Sequence, residues 1–236
     1  MLSDKLTVFE EGQVLLFNKP VYWTSFDLVN KVRIMIRSSL GIRKIKVGHA
    51  GTLDPLASGL MIICTGKATK KISEFRDLDK EYVATLHMGE TTPSFDLETE
   101  TDNRYTTDHI TEQLVRETLT KFIGENLQLP PIYSAKMIDG KRAYEFARKG
   151  VDKKLAPVSV FFREIELISF GIPEIKIRLV CSKGTYIRSF ARDFGVALNS
   201  GSYLAALERT AIGMYNVKNA YDLEKFQDYI EQMQQI

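Results

Sequence analysis

The chain has 236 residues, 44% apolar and 26% charged, enough apolar content to bury a core and too much for a mostly disordered chain. A net charge of +2 and a pI near 8.4 are only mildly basic, so the totals alone do not announce a nucleic-acid binder. Cys64 and Cys181 each sit in an apolar run, His49, His87 and His109 lie far apart, and no stretch approaches the roughly 18 apolar residues of a membrane helix; we expect a cytoplasmic protein without disulfide, metal or membrane span.

Val14 to Phe17 reads as a strand stopped at Asn18-Lys19-Pro20, because proline cannot continue a ladder. A helix follows: Thr24 or Ser25 can cap it, Asp27 favours its first turn, Leu28, Val32 and Met35 recur at helical spacing, and Gly41 ends it. From Lys31 to Lys46 there are six basic residues and no acidic one, whereas Glu90 to Glu112 holds seven acids against Arg104 alone, so one face can be positive. Ile45 to Val47 and Leu60 to Cys64 read as strands on either side of a glycine-punctuated loop. Tyr82 to Met88 alternates as a half-buried strand, with Tyr82, Ala84, Leu86 and Met88 on one side. A helix over Ile110 to Phe122 closes at Gly124. Leu129 to Lys154 then interleaves seven basic residues with Tyr133, Tyr144 and Phe146, which suits RNA, where cations meet phosphates and rings stack on bases; a plain surface hairpin followed by a short helix is the alternative. Strands over Val158 to Ile168 and Ile175 to Cys181, a helix near Ser189 to Asn199 and an acidic closing helix from Tyr221 complete the chain.

The stretch GHAGTLDPLASGL, residues 48–60, has three glycines that let backbone approach a ligand and one carboxylate, Asp54, followed by Pro55. By spacing alone, Asp54-Pro55 is equally a helix N-cap and first helical residue. The stretch lacks the Lys-Ser/Thr ending of a phosphate loop and the spacing of a dinucleotide fingerprint, and no nucleophile elbow occurs in the chain. A glycoside hydrolase would need paired carboxylates, and this motif offers one.

GHAGTLDPLASGL resembles the catalytic motif of the bacterial tRNA pseudouridine-55 synthases, the TruB family. VLLFNKPVYWTSFDLV, DKEYVATLHMG, PPIYSAKMIDGKRAYEFARKG and CSKGTYIRSFARDFG resemble further family blocks in family order. The resemblance implies an α+β fold, a mixed and largely antiparallel central sheet flanked by helices, formed by a single catalytic domain over residues 1–236. It implies a thumb-like RNA-binding insertion at 125–155 that closes over the T arm. It also implies an isomerase that flips uridine-55 of the tRNA T loop out of the stack and turns it into pseudouridine, with Asp54 as the catalytic carboxylate and no cofactor. Flipping costs roughly a few kcal/mol, which a pocket must offset. The carboxylate can attack the sugar or assist loss of a ribose proton, and both routes stay open.

On the same resemblance, Tyr82 stacks on the target base, Tyr186 lines the pocket, and Arg188 pairs with the catalytic carboxylate, keeping it ionised. Leu207 matches an apolar lid of the pocket, Lys70 a basic residue near the site, and His49 a histidine packed among T-loop bases. A noncatalytic tRNA-binding or RNA-folding protein on the same scaffold is the alternative, opposed by the presence of Asp54, Tyr82 and Arg188. We expect a monomer. We also expect the chain to lack the C-terminal PUA domain that holds the acceptor end in many relatives. Weaker or more salt-sensitive tRNA binding than in a two-domain relative should follow, because phosphate contacts set affinity through counterion release. A salt titration of both proteins on one tRNA would refute this by returning equal affinities and slopes.

Overall fold

The computed structural model describes residues 8–134, 137–138, 140–142, 145–146 and 155–235. Of the expected insertion, Tyr144 and residues 135–136, 139, 143 and 147–154 lie outside the described residues. In chain order the elements are β1 (Val14–Lys19), α1 (Ser25–Leu40), β2 (Val47–His49), β3 (Ala57–Thr65), α2 (Ile72–Asp77), β4 (Lys80–Met88), β5 (Glu90–Thr91) and β6 (Asn103–Arg104). There follow α3 (Glu112–Thr120), β7 (Gly124–Gln128), β8 (Met137–Ile138), β9 (Lys141–Arg142), β10 (Val158–Phe170), β11 (Glu174–Cys181), α4 (Ile187–Ala197), β12 (Ser202–Ile212), β13 (Tyr215–Asn216) and α5 (Leu223–Gln235). The class is the expected one, α and β mixed, with a mostly antiparallel central sheet flanked by helices. The chain divides into two compact units, Met1–Tyr82 with Glu208–Ile236, and Val83–Leu207.

In the first unit β3 is the central strand, paired antiparallel with β1 from Val14↔Cys64 to Lys19↔Gly59, and with β2 from Val47↔Thr65 to His49↔Ile63. Its apolar run is buried throughout Gly59–Thr65, as a strand covered on both faces must be. Leu60, Ile62, Cys64, Ala68, Phe75 and Ile212 belong to one core cluster; in another, Phe226 packs edge to face with Phe9 and Phe17, and Tyr221 lies tilted against Phe17 and Phe226. Thr24, rather than Ser25, caps α1: its hydroxyl accepts from the Asp27 N–H while the Asp27 carboxylate takes the Thr24 N–H, a complete capping box. Gly41, at φ 68°, ends the helix in the left-handed conformation that needs no Cβ. Leu28, Val29, Val32, Met35, Ile36 and Leu40 make its buried face.

In the second unit β10 pairs antiparallel with both β11 and β7, and α4 buries Phe190 and Phe194 against Phe122 and Phe162. The alternation read along Tyr82 to Met88 holds: Tyr82, Ala84, Leu86 and Met88 are the buried positions of β4. β8 pairs antiparallel with β9 through Met137↔Arg142 and Ile138↔Lys141. Cys64 and Cys181 are buried core thiols, and burial pushes that of Cys64 up to about 11. Among the described residues no helix is long and apolar enough to cross a membrane.

One close approach in the first unit is demanding. Gly59 has φ 109°, and a Cβ there would lie 2.3 Å from the carbonyl oxygen of Arg209 and 2.6 Å from its nitrogen. Backbone cannot swing aside as a side-chain tip does, so Gly59→Ala should cost about 2–4 kcal/mol, from strain and overpacking together. Urea unfolding would check this, and a variant as stable as the parent would refute it.

Candidate active site

Asp54 does not cap a helix. It lies in an irregular loop, its carbonyl accepts from the Ala57 N–H at 3.1 Å, and a two-residue turn leads directly into β3. The capping alternative is therefore excluded, and the loop needs other support. Four residues of the same unit supply it.

Ser25, freed from capping duty, bonds the residue before Asp54 twice: its hydroxyl accepts from the Leu53 N–H at 2.8 Å and donates to the Leu53 carbonyl at 3.0 Å. On the other flank, the Tyr22 N–H donates to the Pro55 carbonyl at 2.7 Å. Arg209, 1% exposed, reaches into the loop from β12: Nε donates to the Leu60 carbonyl at 2.7 Å, Nη1 to that of Thr52 at 3.4 Å and Nη2 to that of Gly51 at 3.3 Å. A buried guanidinium is costly unless its donors are satisfied, and here two loop carbonyls, of Gly51 and Thr52, and one in β3, of Leu60, accept from it. Lys19, fully buried, donates from Nζ to the carbonyls of Pro20 at 2.9 Å and Trp23 at 2.7 Å, which shapes the turn that presents Tyr22 and Ser25.

The charges of this group interact. Burial is the main reason that the Lys19 ammonium falls from 10.5 to about 8; Asp54 and Asp27 oppose the shift and Arg209 adds to it. His49, at the end of β2, is half-buried with an unpartnered Nδ1. Its pKa is lowered, first by burial and then by Arg209 and Arg76, with the Gly51 backbone opposing, so it is neutral at pH 7.

The other expected residues fall as follows. Tyr82 is 8% exposed on β4, in the same unit as Asp54 and His49. Lys70 is exposed on a 3₁₀ turn beyond the far end of β3. Nine strand residues lie between the Asp54 loop and that turn. Tyr186, Arg188 and Leu207 belong to the second unit. There the Gln128 side chain clamps Tyr186 by accepting its N–H at 2.7 Å and donating to its carbonyl at 2.9 Å. Arg188, 5% exposed in the first turn of α4, forms an ion pair with buried Asp96 at 3.4 Å. Asp96 is tied in turn, its carbonyl accepting from the Thr92 and Ser94 hydroxyls. Leu207 is half-buried on β12.

Sequence reasoning missed Lys19, Ser25, Arg209 and Asp96. A faint signal existed for two: Lys19 is the one cation in the apolar stretch VLLFNKPVYW, and Arg209 lies two residues past Leu207 on the same strand.

The description "TruB family pseudouridylate synthase (N terminal domain)" belongs to the sequence profile that matches residues 37–187. A tRNA pseudouridine synthase B of Phocaeicola vulgatus is 57% identical over 226 residues, covering 96% of each chain. The chain belongs to the TruB family of pseudouridylate synthases. A second TruB-type relative, the tRNA pseudouridine synthase B of Flavobacterium johnsoniae, is 53% identical over 222 residues, 94% of this chain and 97% of its own. Among solved structures, a chain of a Cbf5-Nop10-Gar1 complex matches with a TM-score of 0.71 and 24% identity; the match covers all of this chain and 59% of that one, and establishes the fold.

The Lys19 shift carries a stability consequence. Its folded value lies below its unfolded one, so between about pH 8 and about pH 10.5 the unfolded chain holds a proton that the folded chain has released, and folding gains stability as pH rises through that window. Urea unfolding at about pH 7 and about pH 10 should show the wild type gaining on Lys19→Met. A difference between the two chains that does not change with pH would refute the shift.

Proposed function

We propose that this chain isomerises uridine-55 in the T loop of tRNA to pseudouridine, with Asp54 as the catalytic carboxylate. The observation that carries the reading is the loop of Asp54: the buried side chains of Ser25 and Arg209 hold backbone groups of Gly51 to Leu53 on one flank, the Tyr22 N–H holds the Pro55 carbonyl on the other, and Asp54 itself is half-buried. A carboxylate that must act at C1′ of a flipped nucleotide needs such a fixed direction, since catalysis depends on placement to within a fraction of an ångström. The relatives named tRNA pseudouridine synthase B, matched end to end at more than half identity, supply the substrate class.

The reaction breaks the bond from C1′ to N1 of uracil, turns the base, and forms a bond from C1′ to C5, whose proton then leaves for N1. In this assignment Tyr82 stacks on the base, Tyr186 and Leu207 line its pocket, Arg188 supplies the positive charge that accompanies the carboxylate, and His49 packs as a neutral ring among the displaced T-loop bases. Lys70 is a basic residue near the site. The segment 125–155 acts as the thumb over the T arm, the chain works as a monomer, and residues 1–236 act as one catalytic domain.

Incubating the chain with unmodified tRNA should produce pseudouridine at position 55, and Asp54→Asn should abolish it while tRNA binding persists. Binding without any product from the wild type would instead favour an RNA-folding role.

A further inference from the structure

Tyr22 combines three properties rarely found together. Its φ is 70°, in the left-handed region where glycine sits without strain and a bulky side chain is an outlier. Its side chain, rather than being buried to offset that strain, is 81% exposed. Its backbone N–H is bonded at 2.7 Å to the carbonyl of Pro55, the residue after Asp54, so the turn that carries the ring is joined to the Asp54 loop. Beside it in sequence, Val21 is 39% exposed, and Phe26, in the first turn of α1, is 66% exposed. A strained backbone that persists while its side chain contributes nothing to the core points to a function for that side chain.

We propose that Tyr22, with Phe26, is an RNA-stacking platform that receives an unpaired base next to the target uridine. The inference rests on the RNA substrate proposed above. Two observations favour RNA over a protein partner. Any substrate whose sugar reaches Asp54 passes within one residue of the Tyr22 contact, and a tRNA loop opened to release one base leaves its neighbours without their stacking partners. The helix that carries Phe26 continues with exposed Lys31 and Arg37 and has no acidic residue after Asp27, a surface matched to phosphates rather than to an apolar protein face. Asp27, the one nearby acid on α1, is engaged in the capping box.

The two candidate roles of the ring predict opposite signs on substitution. If the ring serves RNA, glycine at this position relieves the backbone and removes the stack. Tyr22→Gly should then melt no lower than the wild type yet bind an unmodified tRNA transcript about ten-fold more weakly, the effect of losing one aromatic stack. Tyr22→Trp should retain the affinity, because any broad ring offers a stacking face. Melting temperature and direct transcript binding are measured on the full-length chains, so neither readout requires turnover, and pseudouridine formation by the wild type is scored separately to test the proposed activity. Equal binding by wild type and Tyr22→Gly would overturn the inference. So would a Tyr22→Gly chain less stable than the wild type, which would assign the ring to the fold, or a Tyr22→Trp chain as weak as Tyr22→Gly.

Discussion

The carbonyls of Gly51, Thr52 and Leu53, just before Asp54, lie outside helix and strand, and the buried side chains of Arg209 and Ser25 meet them. Arg209 reaches the first two, and the Leu60 carbonyl in β3, from a strand that begins about 140 residues later in the chain. The same constraint explains the glycines: Gly51 and Gly59 border the guanidinium and the backbone of Arg209, and at Gly59 no Cβ fits. The Arg209–Leu60 bond is buried, so it is electrostatically stronger than it would be in water, and an orphaned partner there would be correspondingly expensive. The loop is thus held in one shape by groups that cannot leave it cheaply.

A second consequence is electrostatic. The fold buries a lysine beside the loop, and Lys19 feels both Asp54 and Arg209. Burying an ammonium disfavours its charge, so it persists only with acceptors and a nearby carboxylate; the carbonyls of Pro20 and Trp23 are the acceptors and Asp54 opposes the shift. In the second unit the logic recurs in another form. Arg188 and Asp96 are buried as a pair, and removing either partner from such a pair leaves an uncompensated charge at a cost of about 3–5 kcal/mol. Gln128 meanwhile fixes the backbone of Tyr186 through both its N–H and its carbonyl.

Much of the fold was legible because it depends on local pattern. The alternation from Tyr82 to Met88 and the unbroken apolar run of β3 became the burial patterns expected of a half-covered and a fully covered strand. Boundaries moved by a few residues: the strand expected at Ile45 to Val47 is Val47–His49, and the helix expected over Ile110 to Phe122 is Glu112–Thr120, capped by Thr111. The choice between Thr24 and Ser25 as cap could not be made from sequence, since either hydroxyl suits the position. It was decided by Leu53, which takes Ser25 for the Asp54 loop.

The sequence by itself determined the family, the mixed class, the identity of the candidate carboxylate and the course of the main strands and helices, since these follow from motif and periodicity along the chain. Only the tertiary structure decided what holds Asp54. Lys19 and Arg209 are cations, which by composition belong on the surface. Arg209 finds its Leu60 acceptor 149 residues away, a separation over which no local pattern speaks. The exposure of Tyr22 on a strained turn belongs to the same class of fact, because a φ of 70° is set by the Pro55 contact and the surrounding turn, and nothing in the letters VYWT announces it.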